Sequence, residues 1–248
     1  MSRLEIVGIT GLPEVTAGVD LSSIILAGLQ GSGYTVAPGD VLVVTQKIVS
    51  KAEGCEIALD TLSPCPFAMR WAVQHGKDPR LIELTLREAA RIVRMDKGVL
   101  ITETRHGFVC ANSGVDASNA RDGYALTLPE NPDASACRLR DGIRQATGVG
   151  TGIIISDTFG RPWREGLVNV AIGVAGVRAF EDYRGQRDTF GRPLVASVLA
   201  VADEIASAAE LVMAKTARIP VALVRGMQVD GNGTGQEIIR RPDLDLFR

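Results

Sequence analysis

The run at 152–156, Gly-Ile-Ile-Ile-Ser, is apolar along almost its whole length and is the strongest constraint on the fold. A strand with one exposed face alternates apolar and polar residues, whereas a strand covered on both faces is apolar throughout. This run therefore predicts a central strand of a sheet. Residues 41–49 (VLVVTQKIV) are rich in β-branched side chains and follow a turn signal, which predicts a second buried strand.

Helices and further strands follow one another irregularly along the rest of the chain. Strands are predicted at 4–10 and 219–225, with a hairpin formed by 99–102 and 107–112. Helices are predicted at 21–29 with Asp20 as N-cap, 66–75 before Gly76, 79–94, 133–148 with Asp133 as N-cap, and 202–215. Because strands and helices mix without strict strand–helix–strand alternation, the sequence predicts an α+β fold rather than a doubly wound parallel sheet.

Charge and composition exclude several classes of function. The formal net charge of −2 gives no electrostatic reason to expect a nucleic acid or an anionic membrane as partner. No apolar stretch approaches the roughly 20 residues that cross a bilayer, and no signal peptide is recognisable, so a cytoplasmic protein is expected. The four cysteines are expected to be free thiols. With only two histidines, any metal should be a hard cation with oxygen ligands.

The first candidate for metal and phosphate chemistry is NSGVDASN at 112–119. It places Asp116 among small residues that let main-chain amides approach a ligand, although the same residue types are common in ordinary turns. No GxxxxGK[ST] loop is present. The glycines of GLQGSG at 28–33 do not match GxGxxG, so that stretch is interpreted as an ordinary loop.

The second candidate is SDTFGRPWREG at 156–166, which follows the central strand. Asp157 and Thr158 stand at the strand end, where carboxylate and hydroxyl oxygens suit Mg²⁺ or Mn²⁺. Arg161 and Arg164 follow in the same predicted loop, and their guanidinium groups match a carboxylate, a phosphate or an acyl phosphate. The alternative interpretation is a structural salt bridge between Asp157 and a loop arginine.

Three weaker signals leave alternatives open. Lys47 and Lys51 lie at the end of the predicted strand at 41–49, where a lysine either contacts a phosphate or is simply solvated. Asp203 and Glu204 could be a metal pair, but neighbouring positions on a helix point in different directions, so they are expected to cap or solvate the helix. The motif DTFGRP recurs at 188–193 without a preceding apolar strand, and this copy is interpreted as a turn.

Seven segments, in order and at sensible spacing, together match a known pattern. They are GLP at 11–13, VVTQKIVSKAEG at 43–54, NSGVDASN at 112–119, ISDTFGRPWREG at 155–166, AIGVAG at 171–176, VADEIASAAELVM at 201–213 and IPVALVRG at 219–226. The chain thereby resembles the coenzyme F420-0:gamma-glutamyl ligase family. This resemblance implies a GTP-dependent amide ligase that adds L-glutamate to F420-0 through an acyl phosphate, with a second glutamate added through a gamma-linked bond.

The resemblance also implies roles for individual residues. Asp116, Asp157 and Thr158 resemble the divalent-metal ligands, and Asn119 resembles a nucleotide contact. The GTP site would further include Gly11, Leu12, Pro13, Gln46, Lys47, Lys51, Leu211, Val212, Met213, Ala214 and Lys215. Two Mg²⁺ or Mn²⁺ ions per site are expected, with K⁺ as a further candidate cofactor. Some members have Gly-Glu in place of Ala214-Lys215, so Lys215 is predicted to meet a phosphate directly.

The expected organisation is one ligase domain over residues 1–248, with mixed β-sheets in two interleaved subdomains, in a homodimer. The nitroreductase-like domain that follows this region in some relatives is not expected, because the chain ends at Arg248. Expected partners are F420-0, L-glutamate and GTP. Two alternatives remain: a nucleotide-dependent carboxylate–amine ligase for a different acid, and a non-catalytic module that binds metal and nucleotide.

Overall fold

The computed structural model describes residues 3–245, and helices and strands are mixed along that range. The helices are α1 (Leu21–Gly31), α2 (Gln46–Ala52), α3 (Pro66–His75), α4 (Pro79–Glu88), α5 (Pro132–Thr147), α6 (Val201–Met213) and α7 (Gly235–Ile238). The strands are β1 (Glu5–Ile9), β2 (Val41–Thr45), β3 (Glu56–Ala58), β4 (Ala89–Asp96), β5 (Val99–Thr104), β6 (Val109–Ala111), β7 (Tyr124–Leu126), β8 (Gly152–Arg161), β9 (Arg164–Ala175), β10 (Glu181–Asp182), β11 (Val198–Leu199) and β12 (Val221–Arg225). The predicted α+β class is confirmed.

A five-stranded sheet with the order β1-β12-β2-β8-β9 forms the centre of the molecule. β2 and β8 are parallel, and the other neighbouring pairs are antiparallel. Ile153 and Ile155 of β8 pack into the core that includes α1 and α5, whereas Ile154 packs into the core that includes α6. The run at 152–156 is thus covered on both faces, which confirms the predicted central strand.

A second group of elements lies between β2 and β8 in the chain. β4, β5 and β6 form an antiparallel sheet, and β3 pairs with β7. Leu100 of β5 is fully buried in a small core with Ile82 of α4 and Ala68 of α3. The β5–β6 pairing confirms the predicted hairpin. A bridge between Asp116 and Leu126 fixes the segment at 112–119 beside β7.

The predicted strand at 41–49 is wrong in its second half, because β2 ends at Thr45 and α2 begins at the next residue. In α2 the β-branched residues Ile48 and Val49 are buried, as they would be in a strand. Tertiary packing has overridden their strand propensity. The change places Lys47 and Lys51 one helical turn apart, on the same side of α2.

The predicted helix at 79–94 is too long, because α4 ends at Glu88 and β4 begins at Ala89. The apolar spacing continues past this point, but Ile92 pairs with Thr102 of β5. The predicted N-cap Asp20 is confirmed, since its carboxylate accepts the main-chain N–H groups of Ser22 and Ser23.

The N-cap of α5 is Asn131, not the predicted Asp133. Asn131 Oδ1 accepts the main-chain N–H of Ala134 at 3.0 Å. The Asp133 carboxylate instead accepts the N–H groups of Val174 in β9 (2.8 Å) and Gly235 in α7 (2.7 Å). Asp133 therefore holds α7 against the outer strand of the central sheet.

Asp203 of α6 has a similar role. It accepts the main-chain N–H of Ala171 in β9 at 2.8 Å, so the expectation that it caps or solvates its own helix is wrong. β9 lies at the edge of the sheet, where main-chain groups have no neighbouring strand. Carboxylates from α5 and α6 satisfy two of these groups.

The first DTFGRP copy is a β-hairpin rather than the predicted loop, because β8 continues to Arg161 and returns as β9. Trp163 lies in the turn with a positive φ of 57°. The second copy is a turn, as predicted: Asp188 Oδ1 accepts the N–H groups of Phe190 and Arg192. All four cysteines are free, as expected. No helix within the described range has both the length and the apolar character that a membrane span requires.

Candidate active site

A cleft of about 480 Å³ opens where β2 ends, beside residues 156–158 in the middle of β8 and next to the start of α2 and the end of α6. Ligands commonly bind beyond the carboxyl ends of parallel strands, and the parallel pairing of β2 with β8 ends here, at Thr45 and Ser156. The cleft brings together distant stretches of chain. They are residues 12–15, 45–48, 119–120, 156–158 and 213–215.

Most of the predicted site residues line this cleft. They are Leu12, Pro13, Gln46, Lys47, Lys51, Asn119, Asp157, Thr158, Met213, Ala214 and Lys215. Asp116 adjoins the cleft through its ion pair with Lys47, in which Nζ lies 2.6 Å from Oδ2. Segments that were selected from separate parts of the sequence therefore converge on one site.

Asp116 is held in its ionised form. Ser118 donates to its carboxylate from the main-chain N–H (2.6 Å) and from the hydroxyl (2.9 Å), and Lys47 supplies a third hydrogen bond. Burial opposes ionisation of Asp116, but these hydrogen bonds outweigh burial. The pKa of the Asp116 carboxyl is therefore lower than its ordinary value.

Asp157 is in the opposite electrostatic situation. Burial raises the pKa of its carboxyl to about 6, and the negative charge of Asp116 adds to this effect. Lys215 and Lys47 offset only part of the increase. Within residues 3–245, the one hydrogen bond to its carboxylate is donated by the main-chain N–H of Thr158, at 2.8 Å.

The oxygen donors of the cleft fit a hard divalent cation. Asp116 and Asp157 provide carboxylates and Thr158 provides a hydroxyl, while no cluster of three or more His, Cys, Asp or Glu side chains occurs in the described part of the chain. Mg²⁺ and Mn²⁺ commonly bind through one or two carboxylates together with waters and substrate phosphates. Ser156 also lines the cleft, and its Oγ is buried and has no hydrogen-bond partner among the described residues, so this hydroxyl is available to a bound ligand.

Thr158 begins a chain of hydrogen bonds that leads from the cleft to α6. Its hydroxyl donates to Asn169 Oδ1 at 2.7 Å, and Asn169 Nδ2 donates to Glu210 Oε2 at 2.8 Å. On the cleft side, the Lys215 ammonium donates to Thr158 Oγ1. A hydroxyl shared between an amide oxygen and an ammonium group is strongly oriented.

Asn169, Glu210 and Glu14 line the cleft but are not among the predicted site residues. Two of them carry a signal in the sequence. Asn169 is a polar residue within the apolar part of β9, and Glu210 places a carboxylate in the last turn of α6, where the helix dipole disfavours negative charge. Glu14 forms an ion pair with Lys51, and its position after Pro13 carries no such signal.

Arg161 and Arg164 lie outside the cleft, at the end of the β8–β9 hairpin. The Arg161 guanidinium donates to the main-chain oxygens of Glu165 (2.5 Å) and Gly166 (3.4 Å). Neither arginine forms a salt bridge with Asp157 in the described structure, which removes that alternative. A contact between these arginines and a phosphate stays a prediction.

The remaining predicted residues outside the cleft belong to its nucleotide segments. Gly11 immediately precedes Leu12 and has a positive φ of 74°. Leu211 is 82% exposed on the outer side of α6. Val212 packs against the core that contains α6. The structure therefore places these three beside the cleft residues in sequence, but not on the cleft wall.

Comparisons with known proteins point to one family. Residues 10–226 match the family model described as F420-0:Gamma-glutamyl ligase. The chain is 43% identical over 249 residues to the coenzyme F420:L-glutamate ligase of Methanothermobacter thermautotrophicus, with 99% of both chains covered. The protein of the same name from Methanopyrus kandleri is 46% identical over 241 residues, covering 95% of this chain and 94% of the relative. That of Archaeoglobus fulgidus is 39% identical over 247 residues, covering 99% and 97%.

Proposed function

The chain belongs to the F420-0:gamma-glutamyl ligase family, and from this premise we propose that it joins L-glutamate to coenzyme F420-0 in a GTP-dependent reaction. The observation that carries the proposal is the convergence of Asp116, Asp157 and Thr158 with Lys47 and Lys215 at one cleft. This set combines oxygen ligands for a divalent cation with ammonium groups for phosphate oxygens. Phosphoryl transfer needs such a set more than it needs a covalent nucleophile.

The proposed reaction has two steps. A carboxylate oxygen of F420-0 attacks the γ-phosphorus of GTP, the bond to the leaving GDP breaks, and an acyl phosphate forms. The amine of L-glutamate then attacks the acyl carbon, phosphate leaves with the bonding electron pair, and the nitrogen loses a proton to give the amide. The same two steps on the γ-carboxylate of the added glutamate would attach a second residue.

Asp116, Asp157 and Thr158 are proposed to hold Mg²⁺ or Mn²⁺, two ions per site, with K⁺ as a further cofactor. Such cations, when bound, neutralise the charge that develops on the transferred phosphoryl group. Lys47 and Lys215 would contact phosphate oxygens from opposite sides of the strand ends. The nucleotide would extend over residues 11–13, Gln46, Lys51, Asn119 and 211–215.

We also propose that the protein forms a homodimer. The sheet β4–β6 has the exposed side chains Met95 and Val109, and the segment between β10 and β11 exposes Phe190 (86%) and Val195 (80%). Apolar side chains exposed to this extent often mark a protein–protein contact. Light scattering after size-exclusion chromatography should give twice the chain mass of 26.3 kDa, whereas a mass equal to one chain would contradict the dimer.

An assay with F420-0, GTP, Mn²⁺ and L-glutamate tests the activity directly. We expect one GDP for each amide bond, with the product identified by its mass. Turnover with another acid but not with F420-0 would instead support a ligase for a different substrate. Asp157→Asn should abolish GDP release coupled to ligation, whereas Asp141→Asn, an exposed aspartate of α5, should not. A binding module would show no turnover in any of these proteins.

A further inference from the structure

The hydrogen-bond chain from Thr158 to α6 ends at a carboxylate that the proposed reaction does not use. We propose that Glu210 and Asn169 are positioning residues, which orient the Thr158 hydroxyl so that its lone pairs face the cleft. This inference rests on the proposed function, because it concerns the part of Thr158 as a cation ligand.

Asn169 is fixed by its surroundings as well as by its side chain. It is the cross-strand partner of Thr158, it is 2% exposed, and the Ser207 hydroxyl donates to its main-chain oxygen at 2.7 Å. A buried amide with so little room has two orientations, which differ by exchange of Oδ1 and Nδ2.

Glu210 decides between these two orientations. A carboxylate accepts hydrogen bonds and donates none, so the 2.8 Å contact with Glu210 Oε2 requires the amide nitrogen of Asn169. The amide oxygen then faces Thr158 Oγ1 at 2.7 Å and takes the hydroxyl proton. The orientation of a residue beside the cleft is therefore set by a residue of α6.

The consequence for Thr158 is a hydroxyl that acts only as an acceptor toward the cleft. The hydroxyl donates its proton to Asn169 Oδ1, and one lone pair of Oγ1 accepts a hydrogen bond from the Lys215 ammonium. The reverse orientation of Asn169 would donate to Oγ1 and turn the hydroxyl proton toward the cleft, where it would repel a cation. Partners that orient a metal ligand in this way commonly contribute 10–100-fold to metal affinity, as an order of magnitude.

The position of Glu210 in its helix supports the positioning role. It lies in the last turn of α6, where the helix dipole disfavours a carboxylate. Within residues 3–245 it forms no salt bridge that would compensate, and its side-chain hydrogen bond is the one to Asn169.

Binding of Mn²⁺ in the absence of nucleotide tests the inference without relying on activity. Free Mn²⁺ is quantified by electron paramagnetic resonance during titration of the protein. Glu210→Gln should weaken binding by about tenfold or more, because a second amide no longer dictates the orientation of Asn169. Glu204→Gln, an exposed carboxylate of the same helix, should leave the Kd unchanged. Thermal unfolding of both variants checks that the fold is retained.

A double-mutant cycle separates positioning from direct contact. In an Asn169→Ala background, Glu210→Gln should change the Mn²⁺ Kd by less than about twofold. An undiminished effect in that background would show that Glu210 acts on the cation itself and would overturn the inference. Glu210→Met, which removes the acceptor without adding an amide, serves as a second variant if Glu210→Gln is unstable, and it should weaken binding to a similar extent.

Two further outcomes distinguish this inference from the proposed function. If wild type binds Mn²⁺ more tightly than Asp157→Asn does, and both Glu210 variants bind as wild type does, the metal site stands and the positioning role fails. If wild type and Asp157→Asn bind equally weakly, the metal site and the positioning role fail together.

Discussion

The negative charge of Asp116 adds to the effect of burial in raising the pKa of Asp157, so the two carboxylates beside the cleft ionise in different pH ranges. Asp116 ionises at low pH because Lys47 and Ser118 stabilise its anion. Asp157 has a pKa of about 6. At neutral pH both carboxylates are ionised and repel each other. A divalent cation bound between them would relieve this repulsion.

Asp157→Asn should stabilise the metal-free protein at neutral pH. The pKa of Asp157 is raised from 3.8 to about 6, so between these values the folded protein binds more protons than the unfolded chain. Wild-type stability therefore falls as pH rises through this window, and the asparagine variant lacks this loss. The free energy of unfolding of the variant minus that of wild type should therefore be about 2 kcal/mol larger at pH 7.5 than at pH 4. Urea unfolding with EDTA at both pH values measures the difference, and a pH-independent difference would contradict the raised pKa.

Lys47→Met should shift the acid limb of the pH–activity profile to higher pH. Lys47 lowers the pKa of both Asp116 and Asp157, so its removal makes both carboxylates harder to ionise. The acid limb is measured on the profile of kcat/KM for GTP against pH. Lys77→Met, which removes an exposed lysine after α3, is the matched control. An acid limb at the same pH in all three proteins would show that Lys47 does not set the ionisation of the site.

Lys215→Ala should raise the KM for GTP. Lys215 reaches the cleft from the end of α6 and contacts Thr158, which is the position expected of a group that meets a phosphate. Loss of one charge-assisted contact should change the KM by about tenfold. Steady-state kinetics with varied GTP measure the effect, and Lys77→Ala is the control. If the KM for GTP is unchanged, Lys215 does not contact the nucleotide.

Asp133→Ala should destabilise the fold more than Asn131→Ala. Loss of the Asn131 cap should cost about 1 kcal/mol. Loss of Asp133 leaves the N–H groups of Val174 and Gly235 without their acceptor, which should cost about 3 kcal/mol. Urea unfolding of the two variants at one pH gives the comparison. Equal losses would mean that water satisfies the N–H groups of Val174 and Gly235 once the carboxylate is removed.

The central strand could be predicted because a strand that is buried on both faces appears in the sequence as an uninterrupted apolar run. Asp116 and Asp157 could also be selected locally, since each is an acidic residue among small or polar residues after a predicted strand. Their assignment to one site came from the resemblance, because the two segments are far apart in the chain. The register of β2 with β8 sets the start of α2 beside Asp157, and the ion pair of Lys47 in α2 with Asp116 brings the second carboxylate to the same cleft.

The contacts that orient the site could not be predicted in the same way. Asn169 meets Thr158 only because the segment taken for a loop is a hairpin, and Glu210 meets Asn169 only because α6 packs on β9. Lys47 was placed on a strand, since the β-branched residues beside it have strand propensity. Packing against the core determines the helix there, and no local pattern records that packing.

The order of strands in the central sheet has a consequence for how the protein is made. β1 leaves the ribosome before the other four strands of the central sheet, yet within the described structure it pairs only with β12, which begins at Val221. At translation rates of 5–20 residues per second, β1 waits on the order of 10–40 s for its partner. During that time Ile6, Val7 and Ile9 are available to chaperones, so production of the active protein should depend on how well the nascent chain is protected.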